Sequence, residues 1–342
     1  MQTSKQNLGR QKKFIFVTGG VLSGIGKGIV TASIAKLLDL YGISTTCVKI
    51  DPYLNVDAGT MNPFAHGEVF VTDDGGETDM DIGTYERFLN KELSKIHNLT
   101  TGQVYLDVIE SERKGDFLGE CVQIIPNITN SIKEKIKRVA EFQEDGIVLV
   151  ECGGTVGDIE SLPFVEAIRQ LRLELGKENS IFIHVTLAPI MGPVGEEKTK
   201  PTQHSVQELR RIGIQPDIIV VRSDKQLSIT SKKKISLFTS VELESIISNP
   251  DAESIYSVPE NLYNDGIITS IIDKLKLPSR EMNWKDWKVV SKTFGKNKKT
   301  INIGMVGKYV SLTDSYVSVN EALSHAAAGI NCNINLEWVE SE

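Results

Sequence analysis

Five glycines, a serine and a lysine fall within one short run, VTGGVLSGIGKGI at 17–29. Glycines at 19, 20, 24, 26 and 28 allow left-handed backbone and let N–H groups approach an anion closely. Lys27 adds a point charge, and a helix beginning near Gly28 would add its positive end. That is phosphate-binding chemistry. The run departs from the usual G-x-x-x-x-G-K-[ST] loop in two ways. Its leading glycine, Gly20, stands one residue early, with Val21 in the usual place. Gly28, not Ser or Thr, follows the lysine, so the hydroxyl that normally holds Mg²⁺ is missing. Metal-assisted phosphoryl transfer then needs ligands from outside the loop.

Mg²⁺ takes one or two carboxylates together with phosphate oxygens and water. Two places offer them. In DDGGETDMDIGTYERF (73–88), Asp79 and Asp81 alternate with Met80 and Ile82, which predicts an extended stretch aiming both carboxylates the same way. Glu151 ends the apolar run IVLVE, at the carboxyl end of a strand where open α/β sheets carry functional groups. Asp81 and Glu151 are the candidate replacements for the missing hydroxyl. Three further polar loops stand out. GGTVGDIES (153–161) carries Asp158 and Glu160, and EEKTKPTQHS (196–205) carries Lys198, Lys200, Thr202 and Gln203. The two lysines suit a triphosphate, although the same residues also read as a solvated loop. RSDK (222–225) reads as a contact to a base or phosphate, or as a plain polar strand end.

The elements that must position these groups follow from hydrophobic periodicity. FIFVTGG (14–20) is a buried strand feeding the glycine loop. GIVTASIAKLLDLYG (28–42) has Ile29, Ala32, Ala35 and Leu38 at helical spacing and Gly42 as its stop. STTCVKID (44–51) is the next strand. Strand, glycine loop, helix, strand opens a parallel α/β sheet. The pattern recurs: a strand and loop over 146–158, a helix over 161–176 with Ser161 as N-cap and Gly176 as stop, and a strand over 180–189. A helix (203–213), a strand (216–224), a helix (229–238) and an amphipathic helix closing 254–277 follow. Near-continuous apolar strands fit a sheet covered on both faces. Residues 280–300 are lysine-rich; Trp284, Trp287 and Phe294 allow a short amphipathic helix, and GKNKKT (295–300) reads as a linker. A strand (301–310), helix (317–329) and strand (333–340) come last. The expected fold class is α/β: a P-loop-type, doubly wound, mostly parallel sheet flanked by helices, plus the start of a second α/β domain. The expected divisions are 1–278, a linker 279–300, and 301–342.

A chain of 342 residues can bury a full core. Its net charge of −7 argues against a nucleic-acid partner. The four cysteines, Cys47, Cys121, Cys152 and Cys332, form no C-x-x-C pair, so no zinc site or disulfide framework is expected and a reducing, cytoplasmic setting is. No apolar run approaches the length of a membrane span.

Several runs taken together resemble the CTP synthase family: VTGGVLSGIGKG, KIDPYLNVDAGTMNPFAHGEVFVTDDGGETDMDIGTYERF, LTTGQVYLDVIESERKGDFLG, VQIIPNIT, GGTVGDIESLPFVEAIRQ and EEKTKPTQHSV. They span nearly all of 13–275. The resemblance implies that ATP phosphorylates O4 of UTP, that ammonia then attacks C4, and that phosphate leaves to give CTP. By the same resemblance, Gly24, Ile25, Gly26, Lys27, Gly28 and Ile29 cradle ATP phosphates, with Ser23 on the UTP side. Lys27 and Lys49 are the implied catalytic cations, and Asp81 and Glu151 the implied Mg²⁺ ligands. Arg222, Pro250, Asp251 and Ala252 resemble the adenine contacts. Asp158, Ile159, Glu160, Lys198, Thr199, Lys200, Pro201, Thr202, Gln203 and Lys234 resemble the UTP site, which overlaps the site for inhibitory CTP. Those segments meet across subunits in the family, so a homotetramer is implied. His66, in AHGEVF, resembles the residue where ammonia enters; by itself it reads as a packed loop histidine.

Residues 301–342 resemble the start of the family's second domain, a class I glutamine amidotransferase. The cysteine nucleophile of that chemistry, with its His and Glu partners, is not among them, and Cys332 sits in INCNIN without a G-x-C-x-G context. The expectation is an ammonia-dependent synthase that cannot use glutamine by itself. Two strands and a helix do not bury a core of their own, so this piece is expected to be disordered, to dock on the preceding domain, or to be completed by another chain. Two other readings compete: a different P-loop ligase, which UTP dependence would separate, and a catalytically silent nucleotide-binding subunit that regulates or forms filaments.

Overall fold

The computed structural model describes residues 12–142, 146–191, 195–294 and 299–341. Seven parallel strands form the central sheet: β1 (Lys13–Gly19), β2 (Thr45–Asp51), β3 (Asn98–Thr100), β4 (Ile147–Cys152), β5 (Ser180–Leu187), β6 (Ile218–Ser223) and β7 (Ile246–Pro250). Their spatial order is β7-β6-β5-β1-β4-β2-β3. Alternating residues feed two cores. Ile15, Val17, Leu149, Ile183 and Val220 pack under the helices Lys27–Leu40, Met80–Leu89 and Ile267–Leu275. Phe14, Phe16, Val148, Val150 and Phe182 pack under Thr101–Lys114, Thr129–Glu141 and Leu162–Leu175. With helices on both faces, the strands bury every second residue each way, which is why they read as unbroken apolar runs.

This is the doubly wound α/β class the sequence predicts. From β1 the chain crosses to one side, toward β2; from β4 it crosses back over β1 to β5. The loops after β1 and β4 therefore open side by side at the carboxyl edge, where such sheets hold ligands. Some elements lie outside the sequence reading: β3, the helices at 101–114 and 129–141, and a hairpin of Val69–Val71 with Glu77–Asp79.

Two local expectations are corrected. The stretch around Asp79 and Asp81 is not extended: Asp79 ends the hairpin and caps the helix Met80–Leu89, its Oδ1 accepting from the Asp81 N–H at 2.8 Å. Ser161 does stand at the N-cap position of the helix that follows, but it makes no side-chain cap there; its hydroxyl donates to the carbonyls of Thr155 and Asp158 instead.

The lysine-rich stretch contains a helix at Lys285–Thr293 that buries Trp287 against Phe88 and Tyr256. Residues 295–298 of the expected linker lie outside the described residues. The last segment pairs Lys299–Gly307 with Cys332–Glu340 in parallel, joined through the helix Val317–Gly329. It docks on the main body. The Ser318 N–H donates to the Glu68 carboxylate at 2.6 Å, and the Tyr256 hydroxyl lies 2.5 Å from Glu321 and 2.6 Å from His325. Of the three expectations for this piece, docking is the one observed.

Candidate functional site

The glycine loop separates two uses of glycine that a standard P-loop combines at one position. Gly20 supplies space: a Cβ there would fall 1.6 Å from the Ser205 hydroxyl. Val21, in the usual place of the leading glycine, carries the positive φ, at 80°. A β-branched residue rarely adopts that conformation. Gly24 and Gly26 also have positive φ, at 71° and 94°, and Gly26 is the N-cap of the helix that starts at Lys27. The loop's Ser23 and Gly24 are exposed, while Ile25 and Gly28 are buried and Ile29 is half-buried. Lys27 folds back over Gly19 and donates to the Gly154 carbonyl in the loop after β4 at 2.9 Å.

The second departure from the P-loop pattern has a steric reason. A Cβ on Gly28 would lie 2.1 Å from Asp81 Oδ1. The Asp81 carboxylate occupies the place where a Ser or Thr side chain would start. It comes from the first turn of the helix Met80–Leu89.

Around it lies a buried charge cluster centred on Lys49, near the end of β2. The Lys49 Nζ is 2.5 Å from Asp81, 3.1 Å from Asp79, 3.3 Å from Asp51 and 4.0 Å from Glu151. Asn98 ties the cluster together, donating to Asp51 at 2.8 Å and accepting from the Asp79 N–H at 3.2 Å. Glu151 accepts from the Tyr85 hydroxyl. His66 Nε2 lies 3.2 Å from Asp79, its ring edge-on to Tyr53, and its Nδ1 is buried without a partner.

The electrostatics follow from burial and charge count. Burial alone would lower the Lys49 pKa, but Asp51, Asp79, Asp81 and Glu151 hold it well above the ordinary value. Burial raises Glu151 to about 7, with the Asp81 charge adding to the push. Asp51 rises to about 6, again mainly by burial and against the pull of Lys49. Asp81 is raised by burial, opposed by Lys49. Asp79 goes the other way: Lys49 and the His66 hydrogen bond overcome its burial. That bond also raises His66. Four carboxylates face one lysine, with Lys27 acting on Asp81 and Glu151 as well. Such a surplus of buried negative charge suits a hard cation. Among the described residues no group of three or more His, Cys, Asp or Glu could hold a metal ion. Asp81 and Glu151 stand 2.5 Å and 4.0 Å from the Lys49 Nζ, two carboxylates of the kind a Mg²⁺ would need beside phosphate oxygens and water.

The structure thus brings Lys27, Lys49, Asp81, Glu151 and His66 to one place. Arg222, Pro250, Asp251 and Ala252 line a cavity with Ile25, Gly26 and Ile29 at the other side of the loop. The remaining candidates lie outside both. Asp158, Ile159 and Glu160 are exposed before the helix Leu162–Leu175. Lys198 pairs with Glu196, whose carboxylate also feels Lys234; Lys200 and Lys234 are exposed, and Pro201 is half-buried. Thr199, Thr202 and Gln203 are buried: Gln203 donates to Thr199, and Thr202 to the Leu187 carbonyl. Asp51 and Tyr85 escaped the sequence reading. Tyr85 had a signal, since it lies four residues after Asp81 and so on the same helix face; Asp51 had one in its place at the end of the strand run TTCVKID.

The family model described as CTP synthase N-terminus matches residues 13–277. A CTP synthase from Clostridium kluyveri is 54% identical over 330 residues, covering 96% of this chain and 62% of that protein. One from Thermococcus gammatolerans is also 54% identical, with the same coverage of both chains. One from Clostridium perfringens is 51% identical over 335 residues, covering 98% of this chain and 63% of that protein. The chain spans a little under two thirds of the length of these relatives. The solved structure of FtsY from Mycoplasma mycoides aligns over 76% of this chain and 70% of its own, with 10% identity and a TM-score of 0.35, a likeness too slight to add to the reading.

Proposed function

The chain belongs to the CTP synthase family, and we propose on that premise that it aminates UTP to CTP at the expense of ATP. The observation that carries the reading is the exchange at the end of the phosphate loop: Gly28 lacks a side chain where the Asp81 carboxylate stands. A loop of bare N–H groups binds triphosphate, and the neighbouring carboxylates supply the metal ligands that the loop itself gave up.

The chemistry is an exchange of leaving groups. The γ-phosphoryl group of ATP passes to O4 of the uracil ring: its bond to ADP breaks, one to O4 forms, and N3 of the ring gives up its proton to solvent. Ammonia attacks C4, the C4–O bond breaks with its electron pair leaving on phosphate, and nitrogen sheds its extra proton. Lys27, beside the loop's N–H groups, orients the phosphates and offsets charge as it develops. Lys49 does the same from the floor of the site, held in place by its four carboxylates. A bound Mg²⁺ held by Asp81 and Glu151 would supply charge neutralisation between the phosphates. His66, over Asp79, borders the side from which ammonia would reach the ring.

The exposed groups Asp158 to Glu160, Lys200 and Lys234, with the half-buried Lys198, support a UTP site completed between copies of the chain, in a homotetramer where CTP competes for the same place. These 342 residues contain no cysteine in the setting a glutaminase needs, so the reading gives ammonia as their nitrogen source. The test is CTP formation by the purified chain from UTP, ATP and Mg²⁺, with an ammonium salt or with glutamine. CTP from ammonium alone is expected. CTP from neither refutes the reading, and CTP from glutamine refutes its ammonia part.

A further inference from the structure

Beside Gly26 lies a cavity of about 220 Å³ whose walls include Ile25, Ile29, Pro250, Ile255 and Val258. Apolar walls of this kind suit a planar ring. Three polar residues break the pattern: Arg222 and Asp251, which pair with each other, and Asn249. Asn249 lines the same cavity, is 8% exposed, and its Oδ1 is buried with no hydrogen-bond partner. An unpaired buried amide oxygen is costly, and folded proteins pair nearly all such atoms. The neighbouring groups do not serve it. The Arg222 Nε, opposite Asn249 in the strand register, donates to Asp251 at 3.2 Å. The Ser248 hydroxyl accepts from the Leu227 N–H at 3.0 Å.

We infer that Asn249 reads the 6-amino group of adenine. A nucleoside triphosphate with its phosphates on the loop 23–29 would set its base in this cavity. The Asn249 amide turns easily about its last torsion and would then present Oδ1 to the amine. A primary amide pairs well with adenine, which sets a donor beside a ring-nitrogen acceptor. The inference rests on the ATP reading given above and adds to it the residue that selects the base. Removing one partner of such a bond leaves the other unpaired, which lowers affinity about ten-fold.

The test compares ATP with purine riboside triphosphate, which lacks the 6-amino group. Binding to the chain is measured calorimetrically with Mg²⁺ present, for the wild type and for Asn249→Leu, a replacement of similar volume. The wild type is expected to prefer ATP about ten-fold, and Asn249→Leu to lose that factor with ATP and nothing with the analogue. Equal losses with both nucleotides, or no loss with either, would overturn the inference. So would a wild type that binds the two alike, a comparison that needs no variant to fold. A wild type that binds neither overturns the ATP reading itself, so the two failures are told apart.

Discussion

Gly28→Ala tests the central steric claim. The residue is in a helix and has no positive φ, so alanine by itself should stabilise the helix by about 1 kcal/mol. The new Cβ would stand 2.1 Å from Asp81 Oδ1. To reach ordinary contact near 3.4 Å, the carboxylate must retreat by roughly 1.3 Å, well beyond the few tenths a close-packed site absorbs. Asp81 cannot retreat freely, because Lys49 holds it at 2.5 Å. Overpacking of this kind costs about 1–3 kcal/mol, so net stability should change by no more than about 2 kcal/mol. Activity should change far more. Displacing a preorganised charge from a reacting phosphoryl group costs about 10²–10³ in kcat. The assay is CTP formation with ammonium across a Mg²⁺ titration, alongside thermal unfolding. The expected result is a near-wild-type melting temperature, a large loss of kcat and a weakened Mg²⁺ response. Gly28→Ala combined with Asp81→Ala should relieve the clash and recover stability but not turnover. Wild-type turnover and Mg²⁺ dependence in Gly28→Ala would refute the claim that the carboxylate replaces the loop's hydroxyl.

Lys27→Ala should cut turnover by about 10²-fold or more with little change in stability; retained CTP formation removes Lys27 from the site. Lys49→Met should cost about 3–5 kcal/mol in urea unfolding, because Asp51, Asp79, Asp81 and Glu151 lose their shared cation; a loss under 1 kcal/mol would mean that the carboxylates do not depend on it. His184 is fully buried, with Thr18 at 2.9 Å and Ser205 at 2.7 Å, and burial lowers it to about 3. Its folded-state value lies below the unfolded one near 6.5, so its contribution is complete above that pH and fades as pH falls toward 3. His184→Gln should therefore show a shallower acid limb of stability, by up to about 1.4 kcal/mol per pH unit below pH 6. Matching limbs in the two proteins would show that the imidazole is not held neutral.

The sequence by itself determined the fold class and marked the glycine loop as a candidate anion site. Unbroken apolar strands can only be satisfied by helices on both faces, and a glycine run between strand and helix has few uses other than anion binding. It also offered Asp81 and Glu151 as candidates to replace the missing hydroxyl, since strand ends are where functional groups gather, and the structure sets both beside Lys49. The sequence was right about Asp79 and Asp81 facing one target but wrong about the backbone that aims them. A two-residue spacing reads as a strand, whereas here one residue caps the helix that carries the other.

Only the tertiary structure decided what meets what. Lys49 with Asp51, Asp79 with Asp81, and Glu151 come from three separate segments, and their convergence depends on β2 lying beside β4 and on how the hairpin at 69–79 returns to them. Periodicity records which face a residue is on, but neither strand order nor loop path. Val21 shows the same limit from the other side: no rule of composition places a valine at positive φ beside a glycine whose missing Cβ leaves room for the Ser205 hydroxyl. The unpaired oxygen of Asn249 was likewise invisible, since an asparagine near a strand end is ordinary until its surroundings are known to leave it without a partner.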